Sequence, residues 1–333
     1  MKKITLVDVA TMAKVSKTTA SLVLNNKPIN ISDETRAKVL RVAKELNYIP
    51  NNIARSLSTK RTNTLGVIFP DIENPFFAEI AKAIECTAES LGYTVIICNS
   101  YNKAELEEKQ IKLLIGQLVD GVILVSGGEK NECLKLLKNN KVPFLLLDRY
   151  FEEENGYSGV FCSNKEGIKL GLNYLYNKKN KKNIAFIRGK KGVKTADLRY
   201  EWYKKFSKEL GIYDENLVFE GKFNIIGGMD CTEKLLESNK KVDAIFYSSD
   251  IMALGGMKIL IRKGYRIPND ISILGYDNIS IAQIMEPELT TIAQPIYNMG
   301  EEACKLLIDL IDEKTKDRVI VLNPTLIERN TVL

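Results

Sequence analysis

The sequence has 333 residues, of which 45% are hydrophobic, and a formal net charge of +6. A chain of this length can bury the cores of two or three domains, and its lack of histidine removes the commonest general base of enzymes. The six cysteines are widely spaced without a C-x-x-C pair, so they predict small core residues in a reducing compartment and no zinc site. No apolar run reaches the roughly 18 to 20 residues of a membrane span, and no signal-peptide core follows the N-terminus. We therefore expect a cytoplasmic protein without a membrane partner.

The charge is unevenly distributed along the chain. Residues 1–61 contain 12 lysines and arginines against 4 aspartates and glutamates, whereas the remaining 272 residues have a net charge of −2. A compact basic segment beside a near-neutral remainder is typical of a nucleic-acid-binding module. A solvated basic tail is the alternative, but the regular apolar spacing of this segment argues against it.

Three short helices are predicted near the start of the chain. Thr5 and Asp8 form a capping-box pattern ahead of the first helix, and Ser16 and Ser32 are N-cap residues for the second and third. Apolar residues then recur at helical spacing, and the predicted core positions are Leu6, Val9, Ala10, Ala13, Ala20, Val23, Leu24, Val39, Leu40, Ala43 and Leu46. The tight joint between the first two helices is typical of a helix-turn-helix.

The segment after Pro50, "NNIARSLSTKRT", has room for about two helical turns, which is too short for a stable isolated helix. From Thr64 onward, short apolar runs alternate with amphipathic stretches, which indicates buried parallel strands in α/β units. Eight such runs and a further stretch, "VIVL", exceed the strand number of one small sheet. We therefore predict an α/β fold with two doubly wound parallel lobes that divide near Cys162.

Polar and aromatic side chains follow several of these predicted strands. Ligands bind at the carboxyl ends of open parallel sheets, where the sequence places Phe76, Phe77, Asp148, Arg199, Ser249, Asp250 and Asp277. Carboxylates, a guanidinium and aromatic rings suit a polyhydroxylated ligand such as a sugar or a nucleoside. Core packing of the phenylalanines, helix capping by Asp250 and structural ion pairs are the alternatives. Because phosphate-loop, nucleophile-elbow and dinucleotide motifs are missing, we predict a binding protein without enzymatic activity, cofactor or metal.

The order of these motifs resembles the lactose-repressor/galactose-repressor (LacI/GalR) family of bacterial transcription regulators. The resemblance extends over essentially the whole chain and rests on "LVDVATMAKVSKTTASLVLN", "IARSLSTKRTNTLGVIFPDIENPFF", "SILGYDN" and "PELTTIAQP". It implies a helix-turn-helix head at 1–49, a hinge helix at 50–61, an N-subdomain at 62–161 plus 293–323, and a C-subdomain at 162–292 plus 324–333. The resemblance also implies that both subdomains have the architecture of periplasmic sugar-binding proteins.

The resemblance also implies a function and its residues. A homodimer is expected to bind palindromic operator DNA as a repressor, under allosteric control by a small effector. The DNA-binding residues it implies are Lys17, Thr18, Thr19, Ser21, Leu22, Ala54, Leu57 and Ser58. The effector-binding residues it implies are Phe76, Phe77, Asp148, Arg199, Phe223, Asp277 and Gln294. Leu22 stands where many members have arginine, and Ser249-Asp250 where many have Asn-Asp.

We therefore predict a repressor of carbohydrate-utilisation genes whose effector is a sugar or a sugar-like molecule. A purine or nucleoside effector is the alternative within the family. A solute receptor for transport and a sugar-acting α/β enzyme are the other classes. The basic head argues against the receptor, and the lack of histidine argues against the enzyme.

Overall fold

The computed structural model describes residues 4–25, 28–49, 61–126, 132–149 and 157–333. The chain divides into two compact units, Met1–Thr62 and Asn63–Leu333. We refer to the first unit as the head and to the second as the body. None of the helices within the described ranges is both long and apolar enough to cross a membrane.

The head contains the three predicted helices, α1 (Leu6–Ala13), α2 (Lys17–Leu24) and α3 (Asp33–Glu45). The capping box is confirmed, since the Thr5 amide donates to the Asp8 carboxylate over 2.8 Å and the Thr5 hydroxyl accepts from the Asp8 amide. Ser16 and Ser32 cap α2 and α3 as predicted. Their side chains satisfy amides that the first helical turn leaves without a partner.

The core of the head differs from the prediction at one position. Leu40 is 47% exposed, so its predicted burial is wrong, and Val42 is buried at 5% exposure in its place. Val39, Val42 and Ala43 form the inner stripe of α3. Leu40 lies next to Val39 in sequence, which on a helix turns its side chain about 100° away from that stripe.

The first sheet of the body has six strands in the order β11-β5-β4-β3-β1-β2, all parallel. Its strands are β1 (Thr64–Phe69), β2 (Thr94–Asn99), β3 (Gly121–Leu124), β4 (Phe144–Leu147), β5 (Ser158–Cys162) and β11 (Val319–Leu322). Its connecting helices are α4 (Pro75–Ser90), α5 (Ala104–Gly116), α6 (Glu132–Asn139) and α11 (Ile296–Ile311).

The second sheet has the order β12-β10-β9-β8-β6-β7 and is parallel except for the antiparallel pair of β10 and β12. Its strands are β6 (Ile184–Arg188), β7 (Val218–Glu220), β8 (Ala244–Tyr247), β9 (Ser272–Asp277), β10 (Thr291–Ala293) and β12 (Thr325–Ile327). Its helices are α7 (Asn164–Asn173), which continues into a π-helical turn (Tyr174–Lys178), α8 (Lys194–Glu209), α9 (Ile225–Glu237) and α10 (Asp250–Arg262).

The two sheets confirm the α/β fold with two parallel lobes. The chain passes between the sheets three times: after β5, after β10 and after β11. Because the ligand-binding edge of a parallel sheet is its carboxyl edge, these crossings place loops of both sheets around one region. The predicted subdomain boundaries remain a prediction.

Close helix packing supports the second sheet. α9 and α10 approach each other so closely that a β-carbon on Gly228 would overlap the Met252 carbonyl oxygen. The same is true of Gly255 against the Ile225 carbonyl oxygen. Glycine is therefore required at both contacts, since any side chain would force the helices apart. This packing fixes the start of α10, where the predicted site residues Ser249 and Asp250 lie.

Candidate functional site

Arg199 is the centre of a buried polar network that includes Asp277. Its Nη1 donates to the Ser248 carbonyl oxygen over 2.6 Å and lies 3.5 Å from Asp277 Oδ1. Its Nε donates to Asn164 Oδ1 over 2.8 Å. Its guanidinium also lies over the ring of Tyr276, 3.8 Å from the ring centroid. The guanidinium is thus held in one position by the loops after β5, β8 and β9.

Asp277 is the second member of this network. Its Oδ1 also accepts a hydrogen bond from Gln294 Nε2 over 2.8 Å. Three predicted effector residues, Arg199, Asp277 and Gln294, therefore lie together, and each is at most 4% exposed. The backbone of Asp277 has φ +124°, a conformation that side chains other than glycine rarely adopt. Strain of this kind persists where the surrounding structure holds it, and it is common at ligand sites.

Asp148 contributes a carboxylate from the first sheet. It follows β4, is 6% exposed and also has a positive φ of +63°. Burial raises the pKa of its carboxyl group, while the nearby cations of Arg149 and Arg199 oppose this shift. Since Arg199 lies on α8, beside the second sheet, Asp148 and Arg199 interact electrostatically between elements of the two sheets.

The pKa of Asp277 is raised to about 8 by burial, against the opposing charge of Arg199. The pKa of Cys162, at the end of β5 in the same region, is raised to about 12 by burial. A thiol with such a pKa stays protonated at neutral pH and is a poor nucleophile. The region therefore offers buried hydrogen-bonding groups and no reactive thiolate.

The predicted aromatic residues are buried or half-buried in the body. Phe76 and Phe77 begin α4 and are buried at 3% and 4% exposure. The Phe77 ring lies 5.6 Å from the Arg149 guanidinium. Phe223 is half-buried after β7, and its ring packs against Gly189 at the end of neighbouring β6.

Asp250 has a structural role that the sequence left open. Its carboxylate is fully buried and accepts hydrogen bonds from Thr291 Oγ1 over 2.6 Å and from the Ile279 amide over 3.0 Å. It does not provide the N-cap of α10, because Ser249 occupies that position. Burial raises the pKa of Asp250 to about 6. The side chain ties β10 to the loop after β9 and thereby supports the strained backbone of Asp277.

Sequence reasoning did not assign Arg149 to the site. Arg149 is 5% exposed, and its Nη1 donates to Asn102 Oδ1 over 3.1 Å and to the Ser126 carbonyl oxygen over 3.3 Å. The signal in the sequence that could have identified Arg149 is its position directly after Asp148, at the end of a predicted strand. Among the described residues, Arg149 Nε and the hydroxyls of Ser248 and Ser249 are buried without a hydrogen-bond partner. Such groups cost free energy unless a ligand or water satisfies them.

Five of the eight predicted DNA-binding residues lie on α2. Lys17 and Thr18, at the start of the helix, are exposed, whereas Ala20 and Val23 are buried. Thr19, Ser21 and Leu22 are partly exposed. Ala54, Leu57 and Ser58 lie outside the described residues. Within the described ranges, no cluster of three or more histidine, cysteine, aspartate or glutamate side chains could hold a metal ion.

Comparison with known proteins identifies the family. Residues 5–51 match the model of bacterial regulatory proteins of the lacI family, and residues 172–332 match a periplasmic binding protein-like domain. The ribose operon repressor of Halalkalibacterium halodurans is 41% identical over 94% of this chain and 92% of its own length. The chain belongs to the LacI family. This membership agrees with the helix-turn-helix head and with the two-sheet body.

Solved structures of LacI-family proteins have the same fold. The lac repressor dimer bound to operator and an anti-inducer covers 100% of both chains with a TM-score of 0.88 and 28% identity. A LacI-family transcriptional regulator from Enterococcus faecium with bound ribose matches with a TM-score of 0.73 and 28% identity, over 81% of this chain and 98% of that one. These relatives are transcriptional regulators, not enzymes.

Proposed function

We propose that this protein is a cytoplasmic transcription repressor of carbohydrate-utilisation genes that binds operator DNA as a homodimer and responds to ribose or a closely similar pentose. The observation that carries the effector assignment is the buried set of two carboxylates and two guanidiniums, Asp148, Asp277, Arg149 and Arg199. This set combines hydrogen-bond donors with hydrogen-bond acceptors, which suits a ligand that both donates and accepts, as sugar hydroxyls do.

The positions of the buried polar atoms that lack a hydrogen bond also support a small sugar. Arg149 Nε follows a strand of the first sheet, and Ser249 Oγ follows a strand of the second. A polyol bound between the two sheets can form hydrogen bonds with polar atoms of both at once. Its affinity then depends on how the two lobes are arranged, and allosteric control requires such a difference in affinity. The name of the H. halodurans relative and the ribose in the E. faecium protein agree with this assignment.

The effector assignment is tested by thermal-shift and calorimetric titration of the full chain with D-ribose, hexoses, sugar phosphates and purine bases. We expect ribose to raise the melting temperature and Asp277→Ala to abolish this response. Lys258→Ala, on the exposed side of α10, is the matched control and should respond normally. If a purine base raises the melting temperature and no sugar does, the sugar assignment is wrong and the effector is a purine.

DNA binding is tested with a palindromic duplex selected in vitro from a random library. Because counterions leave the phosphates when lysines and arginines bind them, affinity should fall steeply with salt. Lys17→Ala should weaken binding, whereas Lys258→Ala should not. Equal affinity for selected and random duplexes would contradict a sequence-specific repressor.

A homodimer is supported by exposed apolar residues on the body. Ile226, at the start of α9, is 66% exposed, and Ile284, after β9, is 76% exposed. We propose that these two side chains contribute to the contact between the two copies. Ile284→Asp should therefore shift the protein toward monomers in analytical ultracentrifugation, and an unchanged dimer would exclude this surface.

A further inference from the structure

The body carries a concentrated positive charge that the proposed function does not use. Residues 164–210 contain 14 lysines and arginines against 4 aspartates and glutamates, although residues 62–333 together have a net charge of −2. Arg188 and Arg199 are buried, but the 12 lysines are at least partly exposed. Five of these lysines lie in the loops before and after β6, and the other seven lie on α7, the π-helical turn and α8. We name the surface formed by these three elements the α7–α8 face.

An apolar groove runs along the α7–α8 face. Its volume is about 560 Å³, and Leu170, Phe206 and Leu210 contribute half-buried apolar side chains to its lining. Lys169 and Asn173 line it from exposed positions on α7, and Glu166 and Glu209 also contribute to its lining. Partly exposed leucine and phenylalanine side chains in a concave surface are typical of a docking site for apolar anchors.

Trp202 links the groove to the surrounding lysines. Its ring stacks on the ring of Phe206 with centroids 5.5 Å apart. The ammonium groups of Lys165 and Lys205 each lie 5.2 Å from the Trp202 ring centroid. These contacts restrict both lysine side chains before a partner arrives, which lowers the entropy lost on binding. Tryptophan beside a groove is also a frequent hot spot of protein interfaces.

We propose that the α7–α8 face binds an acidic amphipathic helix of a partner protein. A helix can place apolar side chains at i, i+3, i+4 and i+7 in the groove, while glutamates or aspartates on its flanks meet Lys165, Lys169 and Lys205. A nucleic acid would satisfy the lysines through its phosphates but has no aliphatic side chains for Leu170 and Leu210. The combination of charge and apolar lining therefore favours an acidic peptide.

The probe is a synthetic amphipathic peptide of about 18 residues, five helical turns, with leucines on one face and glutamates on the other. A matched peptide carries lysines in place of the glutamates. Since Trp202 is the single tryptophan of the chain, its fluorescence in the full-length protein reports binding directly. The acidic peptide should perturb this fluorescence with a Kd of roughly micromolar order, and the lysine peptide should not bind.

Charge-reversal variants complete the test. Lys169→Glu combined with Lys205→Glu should weaken binding of the acidic peptide at least about tenfold. The matched control is Lys135→Glu combined with Lys258→Glu, which changes two exposed lysines of α6 and α10 and should leave the Kd within about twofold. A Leu170→Ser variant should also weaken binding if the groove holds apolar anchors.

Three results would overturn the proposal. The first is equal or absent binding of the two peptides, and the second is equal Kd values for the charge-reversal variant and its control. The third is binding of a random DNA duplex that perturbs Trp202 fluorescence and becomes weaker in the Lys169→Glu/Lys205→Glu variant. That result would assign the face to nucleic acid. Effector binding is measured by calorimetry on the same variants, so failure of this proposal is separable from failure of the proposed effector site.

Discussion

The raised pKa of Asp277 predicts a specific pH dependence of stability. The pKa is about 8 in the folded protein against an ordinary value of 3.8. Between these values the folded state holds a proton that the unfolded state has released, so the stability due to this group is complete below about pH 4 and is lost as pH rises toward 8. The loss is about 1.4 kcal/mol per pH unit.

The perturbation is Asp277→Asn, which keeps the shape of the side chain, removes the titration and retains a residue that tolerates positive φ. From pH 6 to pH 7.5 the wild-type protein should lose about 2 kcal/mol that the variant does not lose. For a body of roughly 270 residues, the unfolding entropy converts this difference to about 3 to 4 °C in Tm. Asp250, with a pKa of about 6, titrates mainly below this pH range.

The assay is differential scanning calorimetry of both proteins at several pH values in that range. Asp270→Asn is the control, because Asp270 is bound by Arg266 and its pKa is lowered to about 2. Its Tm should follow the wild-type curve from pH 6 to 7.5. Parallel Tm curves for Asp277→Asn and the wild type would refute the assignment of a protonated Asp277.

Three further predictions concern the effector, the packing of α9 and the head. A sugar hydroxyl that donates a hydrogen bond to Asp277 favours the ionised carboxylate, so sugar binding at pH 7 should release nearly one proton. Calorimetry in buffers of different ionisation enthalpy measures this release, and a binding enthalpy that does not depend on the buffer would contradict it. Gly228→Ala should destabilise the body by about 1–3 kcal/mol or more, because the added methyl group overpacks the contact between α9 and α10. Gly116→Ala is the control and should not destabilise the body, because its β-carbon meets no neighbour. Equal Tm values for the two variants would exclude the close contact at Gly228. Thr5→Ala should destabilise the head by about 1 kcal/mol through loss of the capping box, as judged by urea unfolding of the head followed by circular dichroism, and an unchanged midpoint would show that the cap contributes nothing.

The sequence predicted the strands that are long and apolar and missed three that are not. β7, β10 and β12 have three residues each, and a run of three gives no reliable periodicity. Their pairing depends on neighbouring strands, as β12 shows by running antiparallel to β10. Local pattern cannot predict such strands, because the sheet to which they add supplies most of their stability.

Only part of the candidate site could be predicted, because some of its hydrogen bonds join residues that are far apart in the sequence. The strand-end rule selected Asp148 and Asp277, whose carboxylates are buried in the structure. The same rule left the role of Asp250 open, because its hydrogen-bond partners Thr291 and Ile279 are 41 and 29 positions away in the sequence. Long-range partners of this kind cannot be read from spacing along the chain.

The three passages of the chain between the two sheets also affect how such proteins can diversify. The second sheet contains strands from residues 184–277, 291–293 and 325–327, so each lobe is assembled from separated pieces of the sequence. A single recombination event within the gene would therefore join mismatched pieces in both lobes at once. Exchange of the whole head near Thr62, where the two compact units meet in sequence, leaves both lobes intact. New pairings of operator and effector should therefore arise more readily by exchange of heads than by exchange of lobes.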